Sequence, residues 1–145
     1  MKPHLYIRAY MAGIAFPTVF VLCIFAFFCV ERFVYEVDLR LERIVVFPLA
    51  LVPNLWGMWN ILYVAMRRHR RLPLGLHGAL LPLLLLPAGV ALASRLVPGL
   101  PRLLPAVFAL ALPGLMVIYY LLWKYVVRFL NELAGVEGGT APAGS

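Results

Sequence analysis

Residues 10–30 read YMAGIAFPTVFVLCIFAFFCV, a stretch with no charged side chain and no histidine. Its length is close to the roughly 20 residues that an α-helix needs to cross the hydrocarbon core of a bilayer. Lys2 and Arg8 precede it, as cations precede the core of a signal peptide. Signal-peptide cores are shorter, however, and end in a small-residue cleavage site. Here Phe27, Phe28, Cys29 and Val30 run directly into Glu31 and Arg32, so the stretch reads as a retained first span.

The rest of the chain repeats the pattern. Of 145 residues, 64 % are hydrophobic and only 13 % charged. Soluble domains average about half apolar and about a quarter charged. Chains rich in apolar residues are also not disordered. Further apolar runs cover 44–66, 76–97 and 103–126, each near spanning length. The expected fold is therefore all-α: an integral membrane protein built as a four-helix transmembrane bundle, in one domain over 1–134, with a flexible tail at 135–145. Prolines inside the runs predict kinked helices, near Pro53, Pro87 and Pro113, because membrane helices tolerate a missing backbone N–H when neighbours satisfy the freed carbonyl.

Basic residues set the orientation. Lys2, Arg8, Arg67, Arg68, Arg70, Arg71, Lys124 and Arg128 fall on one side of such a bundle, eight against the five at Arg32, Arg40, Arg43, Arg95 and Arg102. The richer side faces the cytoplasm, so both termini are expected there. Abundant Arg, Leu, Ala and Pro point to a GC-rich bacterial genome, hence to a bacterial inner membrane. Arg67, Arg68, Arg70 and Arg71 form the densest charge in the chain. They read as a topology anchor that meets anionic lipid headgroups; a loop this short presents no nucleic-acid-binding fold.

The second run carries the residues that break the apolar pattern. Asn54, Trp56, Trp59, Asn60 and Tyr63 lie within it, the tryptophans far from the ends where membrane aromatics collect. An amide without a partner in hydrocarbon costs several kcal/mol, so both asparagines must face protein, water or ligand. Pro53, Trp56, Asn60, Tyr63 and Arg67 share one helical seam, and Asn54, Gly57, Met58 and Ile61 an adjacent stripe. The seam fits helix packing, and it also fits a midplane pocket. Elsewhere, Gly89 with Ala93, and Ala106, Ala109 and Gly114, predict close helix approach. Tyr119, Tyr120, Trp123 and Tyr125 with Lys124 and Arg128 read as an interfacial belt, and Cys23 and Cys29 as buried, unpaired thiols. Alternation over 32–42 is a strand signal, but one strand without a partner is not stable alone; the stretch also fits a segment lying along the membrane surface, or an extension of the second helix behind an Asp38 cap.

Catalytic and metal-binding signatures are missing. No carboxylate lies inside a span, and His4, His69 and His77 lack ligand spacing. No catalytic residue, metal or cofactor is expected. The expected function is a structural or accessory membrane subunit, or a lipid- or partner-binding module, working through the seam on another membrane protein or a second copy. The alternative is an oligomeric carrier of a small solute or lipid. A reporter active only outside the cytoplasm, fused after Ser145, is expected to stay silent; strong activity would reverse the orientation.

Overall fold

The structure is a computed structural model that describes residues 3–36, 41–67, 72–96 and 104–136. Every regular element among them is helical, in four runs. α1 is Pro3–Phe33 and α2 is Leu41–Met66; α3 (Leu74–Ala79) and α4 (Pro82–Leu96) form the third run. The fourth is α5 (Leu104–Leu121), a π-helical turn at Leu122–Val127 and α6 (Arg128–Leu133). Two stretches, His4–Phe33 and Leu110–Leu133, are long and apolar enough to cross a membrane. The chain divides into two compact units, 1–65 with 129–145, and 66–128.

In the first unit, α1 meets α2 through glycine. A Cβ on Gly13 would lie 2.8 Å from the Trp56 carbonyl oxygen and 2.9 Å from Gly57 Cα; one on Gly57 would lie 2.6 Å from Ile14 Cγ2 and Tyr10 Cδ2. At Gly13 the obstacle is the backbone of α2, so a side chain there would hold the helices apart; at Gly57 it is the Tyr10 and Ile14 side chains, which would have to move. Around it the buried faces follow helical spacing: Ala9, Ala12, Gly13, Pro17 and Val21 on α1, and Pro53, Trp56, Gly57, Asn60 and Val64 on α2. Small residues at such positions let helix backbones approach.

The chain's last described residues close the same unit. Gly135, at φ 68°, ends α6. Its N–H donates to the Glu132 carbonyl at 3.0 Å, and the Val136 N–H to the Asn131 carbonyl at 2.8 Å. This is a Schellman cap, which needs a left-handed residue where glycine has no steric cost. It turns Val136 inward onto Ala9 and Val64, with Leu5, Tyr6, Tyr63 and Ala134 packed around them. The cap therefore claims Gly135 and Val136 from the expected flexible tail. Residues 137–145 lie outside the described residues.

The second unit departs further from expectation. The third run is two helices, not one: α3 stops at Ala79, and Leu80 and Leu81 form a turn held by i→i+3 bonds, Leu80 N–H to His77 and Leu81 N–H to Gly78. The break falls at Pro82, which opens α4. Proline suits the first helical turn, where its absent N–H would have no partner, and it clashes with the preceding turn inside a helix. Close helix approach is found at Gly75 and Gly78. Cβ atoms there would meet Tyr120 Cε2 at 2.8 Å and Trp123 Cγ at 2.0 Å. Gly89 and Gly114, expected to serve this role, have open space there among the described residues: none of those places an atom within 4 Å of where a Cβ would stand. Trp123 likewise leaves the expected belt: its side chain is wholly buried, with the His77 ring edge-on at 5.8 Å. Tyr125 does stand exposed, and Lys124 Nζ lies 5.6 Å and 5.3 Å from the Tyr120 and Tyr125 rings.

Other expectations resolve locally. Cys23 is exposed and Cys29 half-buried, both free, so burial within the chain fails for Cys23. The alternating stretch is no strand where described: helix covers 32–33 and 41–42, and Glu36 follows α1 at φ 54°. Asp38 lies outside the described residues, and helix runs without interruption through Pro17, Pro53, Pro87 and Pro113.

Replacing Gly78 by valine is expected to lower thermal stability by the upper end of the about 1–3 kcal/mol that overpacking costs. Gly89→Ala, a change toward a better helix former, is expected to be neutral or stabilising. Melting curves of the two variants in one detergent check this; equal effects would dismiss the Gly78–Trp123 contact.

Candidate functional site

Asn60 sits on the buried face of α2, one turn beyond the Gly13–Gly57 crossing, and is fully buried. Without a side chain at Gly13, the Asn60 Cβ can lie where a Gly13 Cβ would come within 3.0 Å. From there the amide reaches two elements. Asn60 Nδ2 donates to the Ala9 carbonyl of α1 at 2.7 Å and to Asn131 Oδ1 of α6 at 2.7 Å. Asn131 Nδ2 returns a bond to Asn60 Oδ1 at 3.2 Å. Both Asn60 amide hydrogens are thus spent, and the two side chains form a reciprocal amide pair. Asn131 is as fully buried as Asn60.

The other seam residues have different surroundings. Trp56 is buried, 2 % exposed, against Phe16 with ring centroids 5.8 Å apart. Trp59 is half-buried. Tyr63 packs against the Ala9–Val64–Val136 cluster. Asn54 is exposed, and the Tyr10 hydroxyl donates to its Oδ1. Trp56 and Asn60 therefore face the protein interior, while Asn54 looks outward. Arg67 is exposed just past the end of α2; Arg68, Arg70 and Arg71 lie outside the described residues.

Half of this arrangement escapes sequence reasoning. Asn131 falls beyond the fourth apolar run as drawn from hydropathy, so nothing in that run marks it as an interior amide. Its signal was the four-residue spacing of Trp123, Val127 and Asn131, which places a polar residue in line with two large apolar ones. The Ala9 carbonyl carries no sequence signal, since any backbone oxygen could have served.

Chemically the cluster is neutral. It holds no ionisable group and no nucleophile, and the Asn60 donors are met by acceptors. What it does is fasten α1, α2 and α6 to one another. Among the described residues no group of three or more His, Cys, Asp or Glu side chains could hold a metal ion. No protein-family model, curated protein or solved structure matches the chain.

Asn60→Leu and Asn131→Leu each strand the other's amide in an apolar setting, which costs about 1–3 kcal/mol. The double variant strands neither, so its loss is expected to fall clearly below the sum of the two. A double-mutant cycle by reversible unfolding in detergent measures this coupling; additive losses would mean that the pair is not a functional unit.

Proposed function

We propose that this chain is a multi-pass membrane protein with both termini on the cytoplasmic side, acting as a structural or accessory subunit without catalytic activity. The observation that carries the reading is the distribution of apolar surface. Only 17 % of the most apolar window of His4–Phe33, and 11 % of that of Leu110–Leu133, is buried within the chain. Val19, Phe20, Leu22, Phe25 and Phe27 all stand outward on α1. In water such a continuous apolar surface would drive association; in a bilayer it is the surface that lipid requires.

Two further features support the orientation and the role. The start of α1, the end of α2 and the end of α6 pack together at Ala9, Val64 and Val136, which fits both termini sharing the basic side. Arg67, Arg68, Arg70 and Arg71 would there meet anionic headgroups, at about 1 kcal/mol each. A carrier working through the seam would need water or solute at Asn60, whereas that amide spends its donors on Ala9 and Asn131. The accessory reading is favoured for that reason.

Alkaline carbonate washing of membranes that contain the protein is expected to leave it in the pellet; release into the supernatant would overturn the membrane placement. Purification in mild detergent followed by intact-complex mass spectrometry is expected to return a stoichiometric protein companion, another chain or a second copy. A single chain carrying a defined lipid would overturn the accessory role in favour of the carrier.

A further inference from the structure

The π-helical turn at Leu122–Val127 presents Lys124 on its exposed side, two residues before the end of the apolar run 103–126. Its ammonium is held against aromatic rings. Lys124 Nζ lies 5.6 Å from the Tyr120 ring centroid and 5.3 Å from that of Tyr125. Both distances fall within the roughly 6 Å over which a ring face attracts a cation. Tyr120 is itself fixed, because a Cβ on Gly75 would stand 2.8 Å from its Cε2 and 3.3 Å from Lys124 Cβ. α3 thus packs on both the ring and the base of the lysine stem, where Gly75 has no side chain to keep them off. Among the described residues the ammonium meets these two rings and no carboxylate or carbonyl oxygen. Arg128, exposed four residues on, adds a second positive charge.

We infer that Lys124, backed by Tyr120 and Tyr125, binds the phosphate group of an anionic lipid. The inference rests on the membrane placement proposed above, and charge and position select the ligand. A lysine ammonium is a compact charge with three N–H donors, suited to phosphate oxygens. Aromatic rings attract it without cancelling its charge, and they accept only weak hydrogen bonds. Lys124 stands near the end of an apolar run on the cation-rich side, which faces the leaflet that carries anionic lipid. The exposed residues Val117, Ile118 and Leu121 of the preceding turns offer apolar surface to acyl chains below the headgroup. A free surface lysine loses rotamer freedom when it holds a ligand. One already set against two rings has lost it on folding, so less is lost on binding.

The test is binding of phosphatidylglycerol to the whole protein in mild detergent, read by native mass spectrometry, with phosphatidylcholine as the neutral control. Phosphatidylglycerol is expected to bind in preference. Lys124→Gln should weaken it about fivefold, the scale of one basic residue at an anionic surface, whereas Lys124→Arg should keep it. Tyr125→Leu, which leaves the charge and removes an exposed ring, should weaken it too, and Tyr125→Phe should not. Arg8→Gln, which removes an exposed cation of α1, should change little. Equal losses at Arg8 and Lys124, or indifference to Lys124→Gln, would overturn the site. Displacement by excess inorganic phosphate would overturn the lipid in favour of the free ion. Membranes are washed with carbonate in parallel. Release of the protein would overturn the membrane placement and the inference with it; retention without a preference for phosphatidylglycerol would overturn the inference alone.

Discussion

The contact between Gly13 and Gly57 is the constraint on which the first unit depends. Two helices whose interface is lined by larger residues stay about 8–10 Å apart, too far for a short amide on one to reach a carbonyl inside the other. With glycine on both sides the backbones close, and Asn60 reaches Ala9. The hydrogen bond and the glycine crossing are thus one feature seen from two sides. Without the crossing Asn60 would be a buried polar group with half its capacity unmet, a state that low-polarity surroundings penalise heavily. α6 completes the arrangement through Asn131, and the Schellman turn at Gly135 adds Val136 to the same cluster.

The two asparagines of α2 are six residues apart, and the helix turns them to opposite fates. Asn60 falls on the face that packs within the chain and is held there by α1 and α6. Asn54 falls beside it, oriented by Tyr10 yet exposed. A polar side chain in an apolar helix is costly unless it finds a hydrogen-bonding partner. For Asn60 that contact is wholly internal; Asn54 accepts from the Tyr10 hydroxyl while its side chain stays exposed. This division accounts for a protein whose interior cluster has no chemistry to perform and whose surface nevertheless carries a polar group at mid-helix.

The second unit solves a similar packing problem by other means. Pro82 divides the third apolar run, and the short α3 so released lays Gly75 and Gly78 against Tyr120 and Trp123. Flat aromatic rings lie over the two glycines, where any Cβ would collide with them. Trp123 lies in a π-helical turn, whose extra residue shifts the direction of the side chains after it. An aromatic that its position near a helix end assigns to the membrane interface becomes a core residue instead.

Helical class, the four apolar runs and the anomaly of the second run are all legible in the sequence, because each depends on local composition and on the length of an apolar stretch. Residue identity likewise marks Asn54 and Asn60 as groups in need of partners. Which of them is buried, that Asn131 and the Ala9 carbonyl are the partners, and which glycines make contact were decided only by tertiary structure. The physical reason is that periodicity orients a side chain relative to its own helix and not to its neighbours. In an apolar chain hydropathy adds nothing to that, since a leucine facing lipid and a leucine facing another helix are the same to it. Only the approach of a second backbone distinguishes them, and at Gly13 and Gly57 that approach is a matter of a single missing methyl group on each side.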